Sequence, residues 1–155
     1  MTAPVFIKIC GMTSVSAVIA AVECGVDAIG FVFAPSARRV TPEQAARLCE
    51  QAPPGLLRIA VTQHPEQSLV DEICAVLAPD YLQTDLEDLP HLRLAAGVQP
   101  LPVLRQGAAA PSELPARLLF EGAASGTGTV ADWERARELS RRAQVVLAGG
   151  LTPAN

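Results

Sequence analysis

Val5-Phe6-Ile7-Lys8-Ile9-Cys10-Gly11-Met12-Thr13 reads as a short apolar strand that runs into a Cys-Gly pair and then a helix start. Strand alternation places Phe6, Lys8 and Cys10 on one face and Ile7 and Ile9 on the other, so both polar side chains share a side. Gly11 lets the backbone turn tightly and leaves no Cβ to crowd whatever approaches the sulfur. A thiol at the carboxyl end of a strand, ahead of a glycine turn, is where an α/β enzyme presents a reactive group. Taken alone, the same residue also reads as a small buried apolar side chain, as most free cysteines are.

Outward from this stretch the pattern repeats. Val15, Val18, Ile19 and Val22 fall at i, i+3, i+4 and i+7, which predicts a helix over 14–24 stopped by Gly25. Ala28 to Phe33 is a nearly continuous apolar run, as in a parallel strand covered on both faces. Pro35 to Val40 form a loop carrying Arg38 and Arg39. Thr41-Pro42-Glu43-Gln44 then combines an N-cap, a proline at the first helical position and a capping-box partner, opening a helix to about Ala52. A strand over Leu57 to Val61 leads to a helix from about Pro65 with Leu69, Ile73, Val76 and Leu77 on one face.

Tyr81 to Gln83 is a short strand ending in Thr84-Asp85. Residues 87–96 read as a weaker helix, Leu101 to Arg105 as a strand, and Ser112 to Pro115 as a single turn at most. Leu118 to Phe120 forms a strand ending in Glu121-Gly122, before the Gly-rich run 123–129. Asp132 caps a helix through Arg142. Val145 to Ala148 is a seventh strand with Gly149-Gly150 at its tip, and Thr152-Pro153-Ala154-Asn155 repeats the grammar of Thr41-Pro42. Seven β/α repeats of this kind predict a (β/α)8 TIM barrel with its eighth unit absent from these residues. The expectation is one barrel domain over 1–155 that stops at the start of its seventh helix, leaving an open, association-prone edge. An open doubly wound sheet shares the alternation but rarely needs polar residues at so many strand ends.

Bulk properties narrow the function. A length of 155 residues suits one domain, and 50% apolar and 18% charged residues describe an ordinary globular chain. The net charge of −4 offers no footprint for nucleic acid. No apolar run is long enough to span a bilayer and the N-terminus carries no signal-peptide pattern, so a cytoplasmic location is expected. Cys10, Cys24, Cys49 and Cys74 contain no C-x-x-C pair and have only His64 and His91 to help, which argues against a disulfide framework or a zinc site.

A barrel gathers its chemistry at the carboxyl ends of its strands. Those ends carry Cys10, Arg38, Asp85, Arg105, Glu121 and the glycines 126, 128, 149 and 150. A thiol and a carboxylate on the first and sixth strands would face each other across the barrel mouth, one taking a proton while the other gives one. Arginine suits a substrate carboxylate. Gly-rich turns expose backbone N–H groups to phosphate, and Gly149-Gly150 ahead of a Thr-Pro cap fits that best.

Lys8-Ile9-Cys10-Gly11-Met12-Thr13, the block Gly25 to Phe33, Ser36-Ala37-Arg38-Arg39-Val40, Ser125-Gly126-Thr127-Gly128 with Asp132-Trp133 behind it, and Leu147-Ala148-Gly149-Gly150-Leu151 together resemble the phosphoribosylanthranilate isomerase family of tryptophan biosynthesis. The resemblance runs through the whole chain in order. It implies a (β/α)8 barrel and an Amadori rearrangement of a phosphorylated aminoaldose to an aminoketose, with neither metal nor cofactor, in a monomer or homodimer. By resemblance Cys10 is the base, Glu121 the acid, Arg38 the clamp on the anthranilate carboxylate, Asp85 a neighbour of the substrate, and Gly126, Gly128, Gly149 and Gly150 the phosphate site. A thiol that acts as a base must ionise, which a nearby cation favours, and Lys8 shares its face.

Three departures from the family pattern stand out. Glu121 occupies a position usually held by Asp, and one extra methylene moves a carboxyl by an amount that matters for proton transfer. Where the family reads Q-L-H-G, this chain has Gln83-Thr84-Asp85-Leu86, so a histidine has become an acid, unhelpful beside an anionic substrate unless it is neutralised. The eighth strand and its S-S-G-V-E turn are absent from these residues. The related sugar-phosphate isomerase of histidine biosynthesis shares the barrel and the Amadori step but places Asp at the first strand tip, against Cys10 here. A non-catalytic barrel fragment or phosphate-binding module is the expectation of a different class.

Overall fold

A computed structural model describes residues 5–155 as two compact units. The first takes the chain up to Thr84 together with Asp88–Pro100, and the second takes Asp85–Glu87 with Leu101–Asn155. Strands and helices alternate in order: β1 (Lys8–Cys10), α1 (Val15–Glu23), β2 (Ala28–Val32), α2 (Pro42–Cys49), β3 (Leu57–Val61), α3 (Gln67–Leu77), β4 (Tyr81–Asp85), β5 (Gln99–Arg105), β6 (Arg117–Glu121), α4 (Trp133–Ser140) and β7 (Gln144–Leu147). All seven expected strands form.

In the first unit β1 pairs with β2, β2 with β3 and β3 with β4, all parallel. Helices α1, α2 and α3 cover one face of this sheet, and Val18, Ile29, Phe31, Ala45, Ala60, Val70, Ile73 and Leu82 pack between the layers. Burial of each larger side chain contributes about 1.5–3 kcal/mol relative to exposure. In the second unit β5 pairs with β6 and β6 with β7, again parallel. Leu104, Leu118, Phe120, Ala136 and Leu139 form its core beneath α4.

Local chemistry sets most element ends. Thr41 accepts from the Gln44 N–H while the Gln44 side chain accepts from the Thr41 N–H, completing the expected capping box. Asp132 caps α4 by accepting from the Arg135 N–H. At the chain end the Thr152 N–H donates to Asn155 Oδ1, the same cap pattern on a final turn.

Four expectations about the elements need correction. The ladder of β1 starts at Lys8 rather than Val5, because the Ile7 N–H is taken by the Asp27 carboxylate at 2.7 Å. Helix α2 ends at Cys49 rather than Ala52, since the amides of Glu50, Gln51 and Ala52 turn to carbonyls three residues back, tightening the chain ahead of Pro53-Pro54. The helix expected over 87–96 is a single 3-10 turn, Leu89–His91, with Pro90 inside it and Leu92, Leu94 and Val98 laid against the first core instead. On α3 the buried residues are Val70, Ile73 and Leu77, whereas Val76 is exposed. Helix α1 also buries only part of its apolar face, since Val15 and Ile19 stay exposed, as do Ile7 and Ile9 on and before β1.

Candidate active site

The first strand tip is assembled around two glycines. Cys10 lies opposite Gly30 in the ladder, and a Cβ on Gly30 would lie 3.0 Å from Cys10 Sγ and 3.2 Å from both Cε and Nζ of Lys8. The sulfur and the ammonium therefore occupy the space that a side chain at position 30 would fill. Phe6, Lys8 and Cys10 are half-buried while Ile7 and Ile9 are exposed, as the alternation predicts. After Cys10 the chain bends, with the amides of Gly11 and Met12 both donating to the Gly30 carbonyl at 2.8 and 3.0 Å. Gly11 has φ +88, and a Cβ there would strike Arg38 at 2.7 Å.

Arg38 reaches this tip from the loop after β2. Ser36 Oγ accepts from the Arg38 N–H, folding the loop on itself. The guanidinium then lies across Gly11 and donates from Nη1 to the Cys10 carbonyl at 3.0 Å. A planar cation is thus fixed by main chain at the end of the strand that carries the thiol, with donors left over for a carboxylate.

In the second unit the strand tips are joined by side chains. Arg105 Nη2 is 2.7 Å from Asp85 Oδ1, and its Nη1 donates to Glu121 Oε1 at 2.9 Å and to Ser125 Oγ at 2.7 Å. The Ser125 hydroxyl in turn donates to Glu121 Oε1 at 2.7 Å. Exposures of 8% for Asp85 and 12% for Glu121 make these charge-assisted bonds of a largely desolvated cluster. The negative charge that Asp85 brings is therefore paired with Arg105, which it shares with Glu121. Arg105, one of the polar residues expected at the strand tips, bridges two protein carboxylates.

The Gly-rich segment after β6 is held by its own hydroxyls, Thr127 Oγ1 donating to the Ala124 carbonyl at 3.1 Å, with Gly126 and Gly128 both at positive φ. Gly149 and Gly150 also have positive φ, and a Cβ at Gly150 would come within 2.5 Å of Val130 N. Backbone here packs directly on backbone. Sequence reasoning missed Ser125 as a partner of Glu121, although it opens the S-G-T-G block. It also missed a loop clasp in the first unit, where Asp88 accepts from the Thr84 hydroxyl at 2.6 Å and lies 2.7 Å from His64 Nδ1.

Parallel strands alternating with helices, with a thiol and a guanidinium at a strand end of the first unit and acids with a guanidinium at strand ends of the second, define an enzyme of the (β/α)8-barrel class, of which these residues supply seven strands. The family model for N-(5'-phosphoribosyl)anthranilate (PRA) isomerase matches residues 7–155, and the chain belongs to that family. It is 35% identical to the N-(5'-phosphoribosyl)anthranilate isomerase of Natronomonas pharaonis over 163 aligned residues, covering 96% of this chain and 78% of that protein. Among solved structures, phosphoribosyl anthranilate isomerase from Thermus thermophilus superposes with a TM-score of 0.83 at 25% identity, over 97% of this chain and 80% of that one. A phosphoribosyl anthranilate isomerase in complex with reduced 1-(o-carboxyphenylamino)-1-deoxyribulose 5-phosphate gives 0.77 at 25% identity, over 98% and 79%.

Proposed function

We propose that this chain converts N-(5-phosphoribosyl)anthranilate to 1-(2-carboxyphenylamino)-1-deoxyribulose 5-phosphate, an isomerase step of tryptophan biosynthesis. The family match supports the reaction, and the placement of Cys10 Sγ beside Lys8 Nζ over Gly30, with Arg38 tied to the Cys10 carbonyl, carries the reading of the site. The step needs only proton transfers. Glu121 gives a proton to the ribose ring oxygen as the C1–O bond breaks and the nitrogen lone pair forms C1=N. Cys10, as thiolate, takes the C2 proton; the C–H electrons become C1=C2 and the C=N electrons return to nitrogen. The resulting enolamine loses its hydroxyl proton and gains one at C1 to give the ketone.

Arg38 holds the anthranilate carboxylate, and Arg105 with Ser125 aims the Glu121 carboxyl. Asp85, tied to the same guanidinium, borders the substrate, while the backbones of Gly126, Gly128, Gly149 and Gly150 receive the phosphate. A small phosphorylated substrate fits a cytoplasmic enzyme acting as a monomer or homodimer. Among the described residues, no helix is long and apolar enough to cross a membrane.

Fluorescence loss of phosphoribosylanthranilate tests both roles. Cys10→Ala and Glu121→Gln should each lower kcat by roughly 10²-fold or more with the unfolding midpoint little changed, and Glu121→Asp should keep part of the activity. Parent-like turnover in Cys10→Ala would remove the base, and in Glu121→Gln it would move the acid role to Asp85.

A further inference from the structure

Gln83 on β4 is 6% exposed, and its side-chain Oε1 is buried with no hydrogen-bond donor among the described residues. Such an oxygen has no protein donor, which native structures rarely leave without a reason. Three polar groups next to it in the chain or across the ladder are served. The Gln83 main-chain carbonyl accepts from the Thr62 N–H at 2.8 Å and the Thr62 hydroxyl at 3.2 Å, and the Thr84 hydroxyl is engaged by Asp88.

The ladder fixes which way Gln83 faces. Cys10 is opposite Gly30, Gly30 opposite Ile59 and Ile59 opposite Tyr81. Two residues further along, Val32 is opposite Val61 and Val61 opposite Gln83. Residues two apart on a strand share a face, so Gln83 lies on the face that carries Lys8 and Cys10, one row nearer the strand ends.

We propose that Gln83 Oε1 accepts a hydrogen bond from the aminosugar segment of the substrate, an assignment that rests on the isomerase reading above. An amide oxygen needs a donor. The phosphate and the anthranilate carboxylate offer only acceptors when ionised, which leaves the hydroxyls and the amine N–H of the C1–C3 segment. That segment also carries the C2 hydrogen the thiol must take, so one bond from Gln83 would both bind the sugar and orient it above Cys10.

The test uses Gln83→Met, which keeps the length and removes the polar atoms, with reduced 1-(o-carboxyphenylamino)-1-deoxyribulose 5-phosphate as the probe. Without ligand, the variant should melt at or above the parent temperature, because an unserved polar group has been replaced by an apolar one. With the probe, its Kd should rise about tenfold or more relative to the parent, and the KM of the natural substrate should rise with it. A variant that binds the probe within about twofold of the parent overturns the proposal, since a buried hydrogen bond is worth more than that. One that melts several degrees lower, or fails to fold, overturns it too, by showing that the amide has a structural partner. If the parent itself does not bind the probe, the isomerase reading fails, and the melting comparison alone then decides whether Gln83 is unserved within the protein.

Discussion

Arg38 and Arg105 are both strand-tip arginines, one in each unit, and they are held in different ways. Arg38 donates to a main-chain carbonyl, lies over a glycine and remains exposed, with no carboxylate paired to it among the described residues. Arg105 is 20% exposed and serves two carboxylates and a hydroxyl at once. The first arrangement suits a group that must meet a ligand, since its charge is uncommitted. The second suits a group that positions others, and it makes the local structure depend on the arginine.

Removing each arginine should separate the two cases most sharply. Arg105→Met should lower unfolding stability by about 3–5 kcal/mol, because two carboxylates lose their shared cation in a largely dry setting. Denaturant titration measures this, and adding Asp85→Asn should recover part of the loss. An unchanged midpoint would mean the cluster is solvated and the contrast with Arg38 false. Arg38→Ala should instead leave stability within about 1 kcal/mol and raise KM by roughly tenfold or more, with Arg38→Lys a partial rescue because a point charge lacks the two-donor plane. A KM unmoved by either change would return Arg38 to an ordinary surface charge.

The first unit also contains a side-chain clasp, so the contrast can be probed within it. Burial alone would push the Asp88 carboxyl up, but hydrogen bonds from the Thr84 hydroxyl and from the ring and N–H of His64 outweigh it and hold Asp88 below its ordinary value of 3.8. A carboxyl that is more acidic when folded adds stability above the unfolded value and loses it as pH falls toward the folded one. Thermal midpoints followed downward from pH 3.8 should therefore drop less steeply in Asp88→Asn than in the parent. Identical slopes would show that the clasp holds no proton-linked stability.

The smallest effect concerns thiols away from the strand tip. Burial pushes the Cys49 thiol up to about 11, partly offset by Arg58 and reinforced by Asp80. At about pH 8, Cys49 should alkylate at least tenfold more slowly than exposed Cys24, because the thiolate is the reacting species. Mass spectrometry of iodoacetamide-treated protein reports the order, and equal rates would mean that the pocket of Cys49 opens readily.

What could be read from the sequence follows the same division. The strand tip at Cys10, the turn at Gly11 and the Thr41 capping box were legible because each is written in a few consecutive residues, whereas the hold of Arg38 on the Cys10 carbonyl, 28 residues away, was not. The Arg105 cluster was not, since Asp85, Arg105, Glu121 and Ser125 come from three strand ends and a loop, and no spacing signals which carboxylate an arginine will choose. The helix expected over 87–96 failed for a related reason. Its apolar residues found the first core in an extended path, and tertiary packing prevailed over a weak periodicity. Gln83 sat in plain view within a recognisable tetrapeptide, but only the ladder register shows its face and only the surrounding bonds show that its oxygen is unserved.

Gly30 lies in the middle of a fully buried strand, where glycine lowers stability by roughly 0.5–1 kcal/mol relative to alanine. Its φ is unremarkable, so what opposes alanine is the neighbours and not the backbone: Cys10 and Lys8 would have to give by a few tenths of an ångström to admit its Cβ. The order in which a lineage could change these three residues is thereby constrained. As long as the thiol and the ammonium stay, any larger residue at position 30 has to displace one of them. Once either is lost, the first stabilising substitution open to drift is the one that fills the gap, and it would make the loss hard to reverse.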